Sequence, residues 1–242
     1  MTNTVKNPWR TVAIIPSAGL GRRMGAGGKN YRLILGKPVL AHTLGPFETC
    51  PFIDEICLVI RPDDRDYCVG EVVGRYGFKK VRCIVDGGNE RQDSVALGLA
   101  AIKDGADIIV VHDGARPLVT TDIIEAAINK AASHGAAIAA MPVKDTIKEA
   151  SMDGSVVRTL DRQSLWAVQT PQAFRTEIIS RAHEAARKDG FYGTDEAALV
   201  ERLGISVSIV AGSYENVKIT TDDDLLVVEA MLEKRMSVKE KE

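Results

Sequence analysis

Five apolar runs alternate with helical patterns through the first 141 residues, and this alternation limits the fold more than any other feature of the chain. Val12 to Ile15, Glu55 to Ile60, Val81 to Val85, Asp107 to His112 and Ala136 to Met141 are short and rich in Val, Ile and Ala. Continuous apolar runs of that length suit strands covered on both faces. Between them, Pro38 to Phe47, Asp63 to Tyr76, Glu90 to Lys103 and Thr121 to His134 read as helices, the last stopped by Gly135. Strand and helix in strict alternation with short connections predict an α/β fold, a mostly parallel sheet with helices on both faces. Such sheets bind ligands beyond the carboxyl ends of their strands. The loops Ser17 to Lys29, Asp86 to Asn89 and Asp113 to Pro117 all follow strands and are expected to converge there.

The first of these loops carries the most chemistry. After Pro16 ends the opening strand come Gly19, Gly21, Gly25, Gly27 and Gly28, interleaved with Arg22, Arg23 and Lys29. Glycines let backbone N–H groups approach a ligand closely, and the cations add a positive field, so the loop reads as a phosphate cradle. It is not a Walker loop, because Lys29 is followed by Asn30 instead of Ser or Thr. Nor is it a dinucleotide fingerprint: the third glycine is displaced to Gly25, and the next acidic strand end, Asp63 and Asp64, comes too late.

The charge balance makes any anion site a local one. The 242 residues contain 31 Lys and Arg against 33 Asp and Glu, so no global field favours nucleic acid or an anionic membrane. No apolar run approaches the 18 or so residues of a membrane span, and the first residues lack an export core, which gives a cytoplasmic expectation. Cys50, Cys57, Cys68 and Cys83 form no C-x-x-C pair and read as buried thiols. A length of this order buries a sizeable core as one domain, residues 1–242.

Asp113 follows the apolar strand IIVVH and should face the same crevice as the glycine loop. A carboxylate near phosphates reads as a magnesium ligand, with a turn acceptor for local N–H groups as the alternative. Arg116, three residues on, can pair with it or grip a second anion. From Pro142 the rhythm changes. VKDTIKEA and VVRTLDR flank the Asp-Gly turn of SMDGS, predicting a hairpin arm over about residues 142–165. An isolated two-stranded ribbon is marginal in water, so the arm is expected to pair with a second subunit in a homodimer. Thereafter QTPQAF (Gln169 to Phe174) reads as a loop, Arg175 to Lys188 as a helix, and Thr194 to Leu203 as another with Thr194 as its N-cap. Ser206 to Val210 reads as a late strand, and Thr221 with Asp222, Asp223 and Asp224 as the capped start of a last helix ending near Arg235.

Taken in order, PSAGLGRRMG with Lys29 and Tyr31, LGKPVLAHTL, DGGNERQDSV, VHDGARP, PVKDTIK, LDR, QTPQAF, TDEA and NVKIT form a specific set. Spanning Val12 to about Leu232, it resembles the 2-C-methyl-D-erythritol 4-phosphate cytidylyltransferases of the non-mevalonate isoprenoid pathway. The resemblance implies a Rossmann-like sheet of the nucleotide-diphospho-sugar transferase type. It also implies a reaction in which CTP and methylerythritol phosphate give the diphosphocytidyl product and pyrophosphate, with Mg2+ as cofactor. By this resemblance Arg23 and Lys29 match the stabilisers of the transition state. Ser17, Ala18, Gly19, Gly21, Gly88, Asn89 and Ser94 match nucleotide-binding positions. Arg162 and Lys218 match residues that position the acceptor, with Asp113, Arg116, Thr146, Thr170 and Thr194 around it and Asp113 also near the metal. Family dimers exchange the arm, so part of each acceptor pocket should come from the partner. The chain departs from the family pattern at Gly28, Asn30, Arg32 and Gly114, none of which removes a required charge. A ribitol 5-phosphate cytidylyltransferase and a catalytically silent nucleotide-binding regulator are the competing readings.

Overall fold

The computed structural model describes residues 8–19 and 28–239, so Gly21, Arg22 and Arg23 lie outside the described residues. The chain opens with β1 (Thr11–Pro16), a small antiparallel pair β2 (Leu33–Ile34) and β3 (Lys37–Pro38), and α1 (Val39–Thr49). Next come β4 (Glu55–Ile60), the short α2 (Arg65–Tyr67), β5 (Val81–Asp86), α3 (Arg91–Ala101), β6 (Ile108–Val111), α4 (Thr121–His134) and β7 (Ala136–Pro142). A hairpin of β8 (Lys148–Ala150) and β9 (Val156–Thr159) follows, then β10 (Trp166–Arg175), α5 (Thr176–Lys188), α6 (Glu196–Glu201), β11 (Ser208–Ala211) and α7 (Asp222–Lys239).

The main sheet has seven strands in the order β11-β7-β10-β6-β1-β4-β5. Every neighbouring pair is parallel except those of β10, which runs antiparallel to both β6 and β7. The apolar runs are explained by coverage on both faces. Ala13 and Ile15 of β1 enter one core with Leu40, Leu44 and Phe47 of α1 and Ile124 and Ile128 of α4. Val12 and Ile14 enter the other with Val95 of α3, Ile179 of α5 and Leu199 of α6. Gly98 lets α3 close on the sheet, for a Cβ there would lie 2.7 Å from Ile14 Cγ2. A third cluster, Ile34, Val39, Leu118, Ile219 and Val228, docks α7 beside the strand ends.

From β1 the chain winds outward through β4 to β5 and then crosses back to β6 on the other side of β1. That reversal opens a crevice at the carboxyl ends of β1 and β6, the usual ligand site of such sheets.

Several expectations are corrected. QTPQAF is no loop but the centre of β10, buried between β6 and β7. Pro171 suggested a break, yet it falls where the β7 pairing shifts register between Val168 and Gln172, so its missing N–H costs the ladder nothing. Thr194 does not cap α6; Asp195 does, accepting from the Ala198 N–H at 2.9 Å. The helix expected over Asp63 to Tyr76 is a 3-10 turn, one α turn and a wide π-type stretch from Cys68 to Gly74 that contains Gly70 and three valines. α7 runs on to Lys239, past Arg235. β8 and β9 pair with each other, and all of their residues are exposed.

Candidate active site

The carboxyl end of β1 passes directly into Ser17, Ala18 and Gly19, which line a cleft of about 720 Å3 with Lys29, Asn30, Gly87, Gly88, Asn89, Ser94 and Asp113. Lys29 begins a 3-10 turn whose next residue, Asn30, is buried and donates from Nδ2 to the Ser17 carbonyl at 2.7 Å. Asn30 thus ties the lysine to the end of β1. Ser94 Oγ accepts from the Gly88 N–H at 3.2 Å, which holds the second glycine loop over the amino end of α3. Glycine is required in that loop: a Cβ on Gly87 would collide with the Ala18 side chain, and one on Gly88 with Asp93. Ser17 Oγ and Asn30 Oδ1 are buried with no hydrogen-bond partner in the protein, and both residues line the cleft. Such atoms are costly unless a ligand satisfies them.

A second pocket of about 220 Å3 opens beside the first, lined by Arg116, Gln169, Thr170, Gln172, Thr194 and Asp195. Arg91, Asp113 and Lys218 line both and form the wall they share. Asp113 follows β6 and is only 6% exposed. Its Oδ1 accepts from Arg91 Nε at 2.9 Å, its Oδ2 lies 2.8 Å from Lys218 Nζ, and Arg116 Nε stands 3.6 Å from Oδ2. Burial alone would raise the Asp113 carboxyl, but Arg91, Lys218 and Arg116 outweigh it and hold the group well below the usual carboxylate range. The Thr170 hydroxyl accepts from the Asp113 N–H at 3.0 Å and also meets His112 Nδ1 at 3.0 Å. Burial holds His112 neutral, its pKa lowered to about 4.

Two expected acceptor residues are not brought here. Thr146 and Arg162 are exposed, with Thr146 in the segment entering the hairpin and Arg162 just beyond it. Arg162 Nη1 donates to the Lys144 carbonyl at 2.8 Å, away from both pockets of the same chain. Arg91, Glu196, Gln172 and Gly87 are the residues that sequence reasoning left out. Arg91 and Glu196 lie within DGGNERQDSV and TDEA, but nothing in either motif shows that they meet across 105 positions, at 2.7 Å.

A doubly wound sheet with a glycine-lined cleft for a polyphosphate, joined through a shared charged wall to a smaller cationic pocket, defines a nucleotidyltransferase class of enzyme. Comparison with known proteins narrows the class. Residues 11–234 match the family model described as 2-C-methyl-D-erythritol 4-phosphate cytidylyltransferase. The proteins of that name from Geotalea uraniireducens and Syntrophus aciditrophicus are 48% and 50% identical to this chain, over 92% and 93% of it and 97% of each relative. The crystal structure of 4-diphosphocytidyl-2C-methyl-D-erythritol synthase from Anaerococcus prevotii superposes with a TM-score of 0.83 at 34% identity, covering 93% of this chain and 96% of that one. The chain belongs to the 2-C-methyl-D-erythritol 4-phosphate cytidylyltransferase family.

Proposed function

We propose that the chain joins CTP to 2-C-methyl-D-erythritol 4-phosphate, giving 4-diphosphocytidyl-2-C-methyl-D-erythritol and pyrophosphate. The observation that carries the reading is the wall of Arg91, Asp113 and Lys218 common to the two pockets, since an acceptor in the smaller one would meet a nucleotide in the larger one there. A phosphate oxygen of the acceptor forms a bond to the α-phosphorus, and the bond from that phosphorus to the β-phosphate bridge breaks, its electrons leaving with pyrophosphate. The nucleophile is already an anion, so the site must bring two anions together and neutralise the charge on the α-phosphate. Lys29 and Arg23 serve the phosphates. Ser17, Ala18, Gly19, Gly21, Gly88, Asn89 and Ser94 hold the nucleoside and its first phosphate, and Ser17 Oγ and Asn30 Oδ1 are free to meet polar ligand atoms. Lys218 and Arg116 draw in the acceptor, with Thr170 and Thr194 on the wall of its pocket.

Asp113 does not fit a resident metal. Both of its oxygens face cations. Magnesium accompanies the nucleotide as part of the substrate, on phosphate oxygens. Asp113 instead orders its three cations and accepts from hydroxyl groups of the bound molecules.

The protein acts as a cytoplasmic homodimer whose hairpin reaches the partner's acceptor pocket, carrying Thr146 and Arg162 into it. Support comes from the position of these two residues outside their own chain's pocket and from the exposure of Val156, Val157, Trp166 and Val168 on and beside the hairpin. No helix among the described residues is long and apolar enough to cross a membrane.

The test is magnesium-dependent pyrophosphate release with each of the four nucleoside triphosphates, offered methylerythritol phosphate and ribitol phosphate in turn. Release with CTP and methylerythritol phosphate alone is expected. Release with ribitol phosphate moves the protein to the sister activity, and CTP binding without release with either acceptor leaves a silent regulator.

A further inference from the structure

We propose that Glu196 is a positioning residue for the acceptor pocket, acting through Arg91 on the Asp113 carboxylate. The inference rests on the reading of the Asp113 pocket as the acceptor site. Glu196 is 1% exposed, and both of its oxygens accept from Arg91 Nη1, at 2.9 and 2.7 Å. The same guanidinium turns its Nε to Asp113 Oδ1 at 2.9 Å, and the other oxygen of Asp113 takes Lys218 Nζ at 2.8 Å. A buried carboxylate, a cation, a second carboxylate and a second cation thus run in succession from the first residue of α6 to the pocket.

Glu196 is itself held firmly. Asp195 beside it caps α6 and accepts from Gln172 Nε2 at 2.7 Å, while Gln172 Oε1 accepts from the Ala197 N–H at 3.3 Å. Gln172 belongs to β10, which is paired on both sides by β6 and β7, so the line is anchored to the interior of the sheet. Arg91 opens α3, and the Glu90–Asp93 capping box fixes its backbone. A planar guanidinium can serve two carboxylates from different nitrogens in one fixed geometry, which a lysine ammonium cannot reproduce. Without Glu196, Arg91 loses its inner anchor and no longer holds its Nε at Asp113 Oδ1. Asp113 then loses the partner that aims its second oxygen at Lys218.

The variants are Glu196→Gln, nearly isosteric, and Arg91→Lys, which keeps the charge but not the fork. Each is expected to raise KM for the acceptor about 10-fold or more, while the Kd for CTP measured without acceptor stays within about twofold. Because they break one line, the double variant should be no worse than about twice the poorer single one. In the crystal, Glu196→Gln should open the Asp113–Lys218 contact. An unchanged acceptor KM with that contact intact overturns the proposal. So does an equal loss of CTP and acceptor binding, the mark of a merely structural role. If Glu196→Gln does not fold, Arg91→Lys decides by the same measurements. Wild-type turnover is measured first: a preference for ribitol phosphate would remove the methylerythritol reading alone, and the KM comparison would then use that acceptor.

Discussion

Lys29 and Arg23 are the residues on which the proposed chemistry most directly depends. Replacing either by Ala should lower kcat by about 10²- to 10³-fold, the usual loss for one preorganised donor at a developing charge. Steady-state kinetics beside a CTP binding isotherm checks this, and an intact kcat with weakened CTP binding would remove the stabiliser role. Asp113 behaves differently, because its removal strands cations. Asp113→Asn leaves Arg91, Lys218 and Arg116 sharing a largely buried region without their common anion. A loss of about 3 kcal/mol in stability is expected, by analogy with broken buried pairs, together with a large rise in acceptor KM. Thermal unfolding and kinetics on the same preparation read the two effects separately. At this scale the motifs were informative: Ser17, Lys29, Gly88, Ser94, Asp113, Thr170 and Lys218 all line the expected crevice or touch it. The motif did not show that Arg91, Arg116 and Lys218 all fold against Asp113, because a carboxylate's partners depend on which cations the fold brings to it.

Among the elements, the loop between β5 and α3 lines the cleft proposed for the nucleotide. The backbone at Gly87 passes so close to Ala18 that no side chain fits between them. Gly87→Ala should therefore push the first glycine loop outward and weaken CTP binding by about 10- to 100-fold, equivalent to an overpacking strain of about 1–3 kcal/mol. Calorimetric titration with CTP is the check. Gly114 is under similar constraint, since a Cβ there would meet the Ser17 hydroxyl. β4 and α4 were legible to the residue, because Glu55 to Ile60 is a continuous apolar run after its first residue and Thr121 to His134 keeps a helical period up to its stop at Gly135. β10 was not, because Pro171 marks a break locally while the sheet accommodates it in a register shift. The extent of α6 was also misread. Its true cap, Asp195, is distinguished from Thr194 only by the Ala198 N–H that it reaches.

For the molecule as a whole, two predictions concern stability and assembly. His112 and His183 are both held down to about 4, His112 by burial and His183 by burial with the charge of Arg91 added. The unfolded chain, with histidines near 6.5, binds more protons between about pH 6.5 and 4, so folding stability should fall as pH drops through that window. Each residue contributes up to about 3 kcal/mol to the loss. Melting temperature against pH reads it, and His183→Gln should flatten the curve. Sedimentation should show a dimer. If the hairpin completes the partner's site, mixing Lys29→Ala with Arg162→Ala subunits should restore about a quarter of wild-type activity, since random pairing rebuilds one intact site in each mixed dimer. No recovery after verified exchange would place Arg162 in its own chain's site. The sequence by itself determined the α/β class, the succession of parallel strands and the family, because these depend on local periodicity and contiguous motifs. Only the tertiary structure decided that β10 runs antiparallel through the sheet, that Thr146 and Arg162 stand apart from Asp113, and that Glu196 reaches Asp113 through Arg91. Those facts depend on contacts between residues tens of positions apart, formed when the sheet closes and the burial of charge forces each carboxylate to find its cation.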